Sequence, residues 1–408
     1  MKILHTSDWH LGRLLYSKKR YEEFEKFLNW LIDFINKEQI DIVIVAGDVF
    51  DTTTPSNRSQ ELYYQFLYNA STTCCRHIVI TGGNHDSPTF LDAPKQLLKV
   101  MDVHVVGEMC ENRSDEVITL YDKQNNPEAI ICAVPFLRDR DVRTVEAGET
   151  MDDKSRKVII GIAKHYEDVA NIALEKQKTM GAIPIIGVGH LFTSGGKTTD
   201  GDGVRELYVG TLAYMGAELF PSCFDYLALG HLHIAQTVGN ASNKRYSGSP
   251  IPMGFNEAKQ TKKIVVVQFS NNQIDINEHE VPRFQELYKI SGSADEIKEK
   301  LAQLKVQDTS AWLEVELTGE AFVGDLIGMV NEAIKDSNLQ ALLIKNKQIE
   351  QQVLSRANET ETLEDLDPND VFLRCLTAND ISDKNNRDLL LCYNEIMNEI
   401  EVTDYNAE

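Results

Sequence analysis

The sequence from His77 to Asp86 reads HIVITGGNHD, an apolar run that ends in two glycines and a polar cluster. The β-branched residues at its centre favour a buried strand. Polar side chains that follow a buried strand lie at the carboxyl edge of a sheet, where α/β folds place their sites. This stretch therefore predicts an α/β protein with a functional site at one edge of the sheet.

The same arrangement of an apolar run followed by a polar cluster occurs at four other places in the chain. These clusters are Asp8-Trp9-His10, Gly47-Asp48, Gly189-His190 and Gly230-His231-Leu232-His233. A single Gly-Asp or Gly-His pair arises by chance, and an isolated His-x-His is as often a packing feature as a ligand. Five clusters in series, all after strand-like runs, instead indicate one shared site.

The first 270 residues or so alternate between strand-like and helix-like segments, which is typical of a sheet with helices on its faces. Strands are predicted at 2–6 and 41–46, and helices at 20–37 and from about Ser56. Closely spaced strands at 117–120, 130–134, 227–229 and 264–269 suggest a second sheet packed on the first. We therefore expect a four-layer αββα sandwich.

The pattern changes near residue 281. Strands at 284–290, 311–317 and 340–344 alternate with helices at 294–304 and 326–335, which predicts a small α+β cap domain without catalytic residues. The expected organisation is a catalytic domain over 1–275, a cap over 281–345, a linker over 346–366 and a helical segment over 367–408.

The C-terminal helical tail carries a short apolar stripe. Its residues are Val371, Phe372, Cys375, Leu376, Leu389, Tyr393, Ile396 and Ile400. Two short amphipathic helices after a linker have little core of their own, so a partner protein is the expected recipient of this face. Docking onto the chain's own domains is the alternative.

The net charge of -22 argues against a strongly basic nucleic-acid surface. Residues 351–408 contribute 14 acidic and 4 basic side chains, so much of the imbalance lies in the tail. Bound divalent cations would supply positive charge where a phosphate must sit. The charge therefore predicts weak intrinsic affinity for DNA and a basic partner, without excluding a DNA substrate.

The chain shows no run of about 20 apolar residues, the length that a membrane span needs. The first polar cluster begins at Asp8, which leaves no room for a signal peptide. The seven cysteines have no C-x-x-C spacing and are expected to be reduced. A cytoplasmic location without membrane association is the resulting expectation.

The ligand-type residues fit a site with two metal ions about 3.5 to 4 Å apart. Asp48 is expected to bridge the ions. Asp8, His10 and His233 are assigned to one ion, and Asn84, His190 and His231 to the other. Imidazole mixed with carboxylate and amide oxygen suits manganese or iron, with zinc and magnesium fitting less well.

His85 stands beside a ligand but is not needed to complete either set, which leaves it available as a catalytic acid. Asp51 is the candidate to orient it. The alternative is that Asp51 caps the helix that begins near Pro55. The remaining histidines lack a motif, and we interpret them as packing or surface residues; they are His5, His77, His104, His165 and His279.

The five clusters resemble those of the calcineurin-like metallophosphoesterases. Within that superfamily the narrower resemblance is to the SbcD family of bacterial nuclease subunits. It rests on HTSDWHLG at 5–12, GDVFD at 47–51, GNHDS at 83–87, GHLH at 230–233, and YSGSPIP at 246–252 with FNE at 255–257.

This resemblance implies a manganese-dependent nuclease that degrades duplex DNA ends and cuts single strands and hairpins. It also implies an SbcC-type, SMC-like ATPase as partner, and a homodimer of the nuclease within a two-plus-two assembly. The family's metal positions correspond to Asp8, His10, Asp48, Asn84, His190, His231 and His233, and its catalytic histidine to His85. Archaeal relatives have a second histidine where this chain has Asp51, which leaves the role of Asp51 open.

Two other functions use the same residues. A phosphatase or small-molecule phosphodiesterase would need the same metals but neither a cap nor a partner-binding tail. A scaffold that has lost catalysis would not need the complete set of ligands. Cleavage of a DNA hairpin, or of a simple aryl phosphodiester, distinguishes the three.

Overall fold

The computed structural model of the chain describes residues 1–143, 149–193, 216–270, 273–318 and 325–347, with Phe372, Leu373, Leu376, Leu389, Leu390 and Tyr393. It divides into two compact units, Met1–Phe284 and Gln285–Glu408. No helix in these described ranges is both long enough and apolar enough to cross a membrane.

The first unit contains two six-stranded sheets. In the first sheet the strands are β1 (Lys2–Thr6), β2 (Ile42–Ala46), β3 (His77–Thr81), β4 (Val103–Val106), β11 (Lys263–Ser270) and β12 (Gln273–Glu280), in the order β12-β11-β1-β2-β3-β4. In the second they are β5 (Val117–Tyr121), β6 (Pro127–Ala133), β7 (Ile185–His190), β8 (Tyr226–Gly230), β9 (Gln236–Val238) and β10 (Ala241–Tyr246), in the order β5-β6-β7-β8-β10-β9. Strands β1 to β4 run parallel, as do β6, β7, β8 and β10.

Helices cover the outer faces of these sheets. They are α1 (Tyr21–Glu38), α2 (Asn57–Ser71), α3 (Pro88–Asp92), α4 (Lys95–Lys99), α5 (Asp139–Val142) and α6 (Met151–Met180). One apolar cluster joins α1 and α2 to the first sheet, a second joins α6 to the second sheet, and a third fills the space between the sheets. The predicted four-layer αββα sandwich is therefore confirmed.

One strand was assigned to the wrong sheet. The segment 264–269 was expected in the second sheet, but β11 pairs antiparallel with β1 in the first. Its residues are buried on both faces: Ile264 packs towards the helices and Val265 between the sheets. Because a strand buried on both faces shows no alternation, its sequence does not indicate which distant strand it pairs with.

The end of the first unit also differs from the expected boundary at residue 275. That residue lies inside β12, which pairs with β11 along its whole length from Gln273 to Glu280. Phe284 then packs edge-on against Trp30 of α1, with the ring centroids 6.5 Å apart. The first unit therefore continues past residue 275 to Phe284.

The second unit contains a three-stranded parallel sheet. Its elements are β13 (Glu286–Gly292), α7 (Ala294–Val306), β14 (Ala311–Leu317), α8 (Leu326–Ile334) and β15 (Leu339–Asn346), with β14 in the centre. Ser293 and Glu296 form a reciprocal capping box at the start of α7. The predicted order of strands and helices in this segment is thus confirmed.

The apolar stripe of the tail is only partly within the described residues. Val371, Cys375, Ile396 and Ile400 lie outside them, as does 348–366 of the predicted linker. Phe372 and Tyr393 stack face to face at 4.1 Å between centroids, and Leu376 is buried. Leu389 remains exposed. Two of the stripe residues therefore pack on each other within the tail and a third is buried, so part of the predicted apolar face is already covered.

Candidate two-metal site

The five predicted clusters lie at or just after the ends of β1, β2, β3, β7 and β8, and they meet at the carboxyl ends of the parallel strands of both sheets. Hydrogen bonds to the side chain of Asp86 connect two of these loops. Its buried carboxylate accepts hydrogen bonds from the backbone amides of Val49, Phe50 and Gly83, at 3.1, 2.9 and 2.9 Å. The loops that carry Asp48 and Asn84 are thereby held in a fixed relation.

The backbone is strained at four of the predicted ligands. Asp8, His10, Asp48 and His231 have φ values of 53, 47, 50 and 99°. Residues other than glycine rarely adopt this left-handed region, and such strain, which costs on the order of 1–3 kcal/mol each, concentrates at functional sites. The fold therefore holds these four residues in backbone conformations that lower its stability, as is expected of residues that serve a functional site.

Glycines permit the close approach of the loops. A Cβ atom at Gly83 would lie 2.1 Å from Oδ1 of Asp48, and one at Gly230 would lie 1.8 Å from the carbonyl oxygen of Ala46. No side chain fits at either position without displacing the loop beside it.

Asp8, His10 and His233 form one buried group whose ligand atoms all lie within 4.8 Å of one another. The Nε2 atoms of His10 and His233 are 3.3 Å apart. Oδ1 of Asp8 accepts a hydrogen bond from the backbone amide of His231 at 2.9 Å, and Ser7 donates to the other carboxylate oxygen. Two imidazole nitrogens directed at one another beside a carboxylate are suited to a shared cation.

Asp48, His190 and His231 form a second such group, also with ligand atoms within 4.8 Å. The side-chain oxygen of Asn84 joins it, 3.1 Å from Nε2 of His190 and 2.9 Å from Nδ1 of His231. The set contains two imidazoles, one carboxylate and one amide oxygen, which suits a divalent transition metal better than magnesium.

Asp48 lies between the two groups. One of its oxygens, Oδ2, is 3.2 Å from Nε2 of His190 and 3.6 Å from Nε2 of His10. Its other oxygen, Oδ1, accepts a hydrogen bond from the backbone amide of His85 at 2.9 Å. A single carboxylate oxygen thus faces a ligand from each group, which is the geometry that a bridging role requires.

Electrostatics at this centre favour a positive charge. Burial raises the pKa of Asp48, but His190 and His10 outweigh it and hold that pKa well below its ordinary value. Burial lowers the pKa of His190, yet the charge of Asp48 and its hydrogen bond raise it to about 9. The centre therefore attracts a proton when no other cation is present, and a metal ion would satisfy the same preference.

Three of the histidines are oriented through the ring nitrogen that faces away from the centre. Nδ1 of His190 donates to the carbonyl oxygen of Ala46 at 2.9 Å, which leaves its Nε2 unprotonated in the neutral ring. Nδ1 of His233 lies 3.2 Å from Oε1 of Glu257, and Nδ1 of His10 lies 3.3 Å from Oδ1 of Asp51. Metal-binding histidines characteristically have such partners, so the donor set fits two metal ions.

His85 is half-buried beside the first group, with its ring centroid 4.9 Å from that of His10. Its Nδ1 donates to the backbone carbonyl of Asp51 at 2.9 Å, whereas the carboxylate of Asp51 contacts His10 and Arg13. The cap of α2 is Ser56, so the alternative role of Asp51 as a helix cap is wrong. Asp51 contacts both histidines, but only its backbone orients His85.

Two residues that support the site were not identified in the sequence. Glu257 is buried and accepts hydrogen bonds from His233, from the backbone amide of Met253 at 2.9 Å and from Lys262 at 2.5 Å. Burial raises the pKa of Glu257, but His233 and Lys262 outweigh burial and hold that pKa below its ordinary value. Lys262 also donates to the carbonyl oxygen of His233 at 3.0 Å. The FNE motif at 255–257 contained Glu257, although nothing in the sequence indicated its contact with His233.

Comparisons with known proteins agree with this geometry. The family described as calcineurin-like phosphoesterase matches residues 1–235, and the family described as type 5 capsule protein repressor C-terminal domain matches residues 283–380. The Escherichia coli strain K12 protein named as the SbcD component of nuclease SbcCD is 34% identical over 390 residues, which cover 94% of each chain. This chain belongs to the SbcD family.

Two other proteins of the SbcD family are also similar in sequence to this chain. The Bacillus subtilis strain 168 protein of the same name is 30% identical over 328 residues, covering 78% of this chain and 79% of its own. The Rhodobacter capsulatus protein is 34% identical over 263 residues, covering 63% and 64%. Through its first unit the chain is a metal-dependent phosphoesterase of the calcineurin-like type.

Proposed function

We propose that this protein is the nuclease component of an SbcCD-type complex and hydrolyses DNA with two manganese ions. Its substrates would be duplex ends, degraded exonucleolytically, and single strands and hairpins, cut endonucleolytically, during DNA repair and recombination. The proposed metal ligands are Asp8, His10, Asp48, Asn84, His190, His231 and His233.

The position of Asp48 is the observation that carries this proposal. One carboxylate oxygen faces Nε2 of His10 on one side and Nε2 of His190 on the other. Two divalent ions held there would polarise the phosphodiester and lower the pKa of a bound water. The full set of ligands argues against a scaffold that has lost catalysis, and the match to an SbcD protein along 94% of the chain favours a nuclease over a phosphatase.

His85 is the proposed general acid. Because Nδ1 donates to the backbone carbonyl of Asp51, the ring is fixed and its Nε2 is the atom available to a substrate. A proton carried on Nε2 could be transferred to the leaving oxygen of the DNA strand. The backbone amide of the same residue holds Asp48, so the acid and the bridging carboxylate keep a constant separation.

We further propose that the protein acts in the cytoplasm as a homodimer in a two-plus-two assembly with an SbcC-type, SMC-like ATPase. The relatives are named as subunits of the SbcCD nuclease, which supports a partner. Because this chain has a net charge of -22, we expect the partner protein to supply much of the affinity for DNA.

A cleavage assay tests the proposed function. The purified full chain, stripped of metal and given Mn²⁺, is incubated with an end-labelled DNA hairpin and, separately, with an aryl phosphodiester. We expect nicking of the hairpin. Turnover of the aryl ester without any cleavage of DNA would instead establish a small-molecule phosphodiesterase.

A further inference from the structure

A second group of metal-binding side chains lies at the opposite end of β3 from the proposed catalytic site. In the parallel pair β3–β4, Val79 is registered with His104. His77 is two residues before Val79, so it shares a face of the sheet with His104. Val79 on this face belongs to the core between the two sheets, so both histidines are directed towards the second sheet.

The ring of His77 is in a tautomer suited to metal binding. Its Nε2 is 2.9 Å from the carbonyl oxygen of Tyr121 on β5. A carbonyl only accepts, so Nε2 carries the hydrogen, and Nδ1 of the neutral ring has a free lone pair. That Nδ1 atom is buried and has no hydrogen-bond partner among the described residues, in a side chain that is 10% exposed.

His104 presents a second buried nitrogen to the same place. Its Nε2 also has no hydrogen-bond partner within the part of the chain that the structure describes. Burial, followed by the neighbouring His77, lowers the pKa of His104 to about 4, so its ring is neutral near pH 7. The ring centroids of the two histidines are 5.7 Å apart. A buried lone pair on His77 and a buried ring nitrogen of His104, both without a partner among the described residues, are costly unless something binds them.

Asp102 supplies the third ligand. Its carboxylate is 3.9 Å from Nδ1 of His77, and ligand atoms of His77, Asp102 and His104 all lie within 4.8 Å of one another. Asp102 has a φ of 56°, in the left-handed region. The carboxylate is 64% exposed, so the group has a buried side formed by imidazoles and an open side that faces solvent.

The group opens into a cleft of about 760 Å³ along the edges of the two sheets. The charged residues that line the cleft are Asp92, Lys95, Lys99, Asp102 and Asp115. Together they give the cleft one net negative charge when its histidines are neutral. Water and ions can therefore reach the open side of the group.

We propose that His77, Asp102 and His104 bind a divalent cation of the Zn²⁺ class, separate from the catalytic pair. Two imidazoles and one carboxylate with an open fourth position form a common zinc ligand set. The ion would join the start of β3 to the turn before β4. Four residue steps of about 3.3 Å separate His77 from Thr81 at the other end of β3, so the two sites do not share ligands.

Metal counting tests this site in the full chain. The protein is stripped with chelator and dialysed against Zn²⁺, and bound metal is measured by plasma mass spectrometry. We expect the wild type to hold one more ion per chain than His77→Gln/His104→Gln. His279→Gln is the matched control, because His279 packs against Phe34 away from both groups, and it should equal the wild type. This difference of one ion does not depend on how many ions the catalytic site holds.

Asp102→Asn keeps the proposal testable if the double variant fails to fold. Asn tolerates the left-handed backbone, and the side chain is largely exposed, so folding should be unaffected. The dissociation constant of the Asp102→Asn protein for Zn²⁺ at this site should rise about tenfold or more. Loss of a residue that only supports a metal ligand already has an effect of this size. Hairpin cleavage in Mn²⁺ should stay within about twofold of the wild type. Equal zinc content in the folded double variant, or unchanged zinc affinity in Asp102→Asn, would overturn the proposal.

Discussion

The backbone carbonyl of Asp51, and not its carboxylate, holds the ring of His85, at 2.9 Å from Nδ1. The carboxylate is directed instead to Nδ1 of His10, at 3.3 Å. Substitution of the Asp51 side chain therefore leaves the contact to His85 in place and removes the partner of a proposed metal ligand, together with the ion pair to Arg13. The two residues should differ in how their variants respond to metal.

His85→Asn should lower hairpin cleavage on the order of 100-fold or more, because it removes the proposed general acid. Both metal ions should remain bound, since the side chain of His85 belongs to neither proposed ligand set. Asp48→Ala should lose metal and activity together. Metal content and cleavage rate are measured on the same preparations, and a His85→Asn protein without its metals would contradict the catalytic assignment.

Asp51→Asn should weaken metal binding by about 10- to 100-fold, the usual effect of disturbing a group that orients a metal ligand; here the group is the Asp51 carboxylate, 3.3 Å from Nδ1 of His10. A higher concentration of Mn²⁺ should then restore most of its activity. The matched comparison is His85→Asn, whose defect should persist at every Mn²⁺ concentration. If Mn²⁺ fails to rescue Asp51→Asn, its carboxylate has a role in the chemical step.

The types of ligand in the proposed site should determine which metal ion supports cleavage. A site with four imidazoles and no thiolate should support much faster cleavage with Mn²⁺ than with Mg²⁺, which prefers oxygen ligands and retains water. Rates are compared at equal concentrations after removal of bound metal. Equal or faster cleavage in Mg²⁺ would mean that the proposed ligand map is wrong.

The meeting of the proposed ligands at one place could be predicted because each lies at or just after the end of a strand, so local sequence carries the information. Asn84 comes three residues after β3, and His190 ends β7. The parallel order of the strands brings such ends together without any knowledge of the pairing. The αββα architecture could be predicted from the alternation of strand-like and helix-like segments and from the closely spaced strands later in the chain.

Contacts between distant segments could not be predicted in this way. Glu257 reaches His233 across 24 residues, and Lys262 reaches the same residue across 29. The histidines of the proposed second group, His77 and His104, were interpreted from the sequence as packing or surface residues because they lack a motif. Only the register of β3 and β4 brings them onto one face. Side chains that act through tertiary contacts leave no periodic signal in the sequence.

The buried pair of Glu257 and Lys262 should contribute to stability as well as to the site. Lys262→Met leaves the Glu257 carboxylate buried without its cation, which should cost about 3–5 kcal/mol of unfolding free energy. The neighbouring Lys263 pairs with Glu278 at the surface, so Lys263→Met should cost at most about 1 kcal/mol. Denaturant unfolding with chelator present compares the two, and equal losses would show that the buried pair has no special role.

The exposed part of the tail provides the last prediction. Leu389 is 38% exposed, whereas Leu376 is buried and Phe372 stacks on Tyr393. If the tail contacts the ATPase, Leu389→Glu should lower co-purification with that partner and the ATP-stimulated cleavage of duplex ends. Cleavage of single strands by the isolated nuclease should not change. An acidic side chain is the sharper substitution because it must be desolvated in an apolar interface.

Val306→Glu is the matched control for this experiment. Val306 ends α7 in the same unit and is 87% exposed, so the new charge should affect neither folding nor association. The acidic composition of residues 351–408 also predicts that association weakens as salt concentration rises, because a basic surface on the partner would be screened. Undiminished co-purification of Leu389→Glu would count against this residue as a partner contact. That result would favour the alternative in which the tail helices dock onto the chain's own domains.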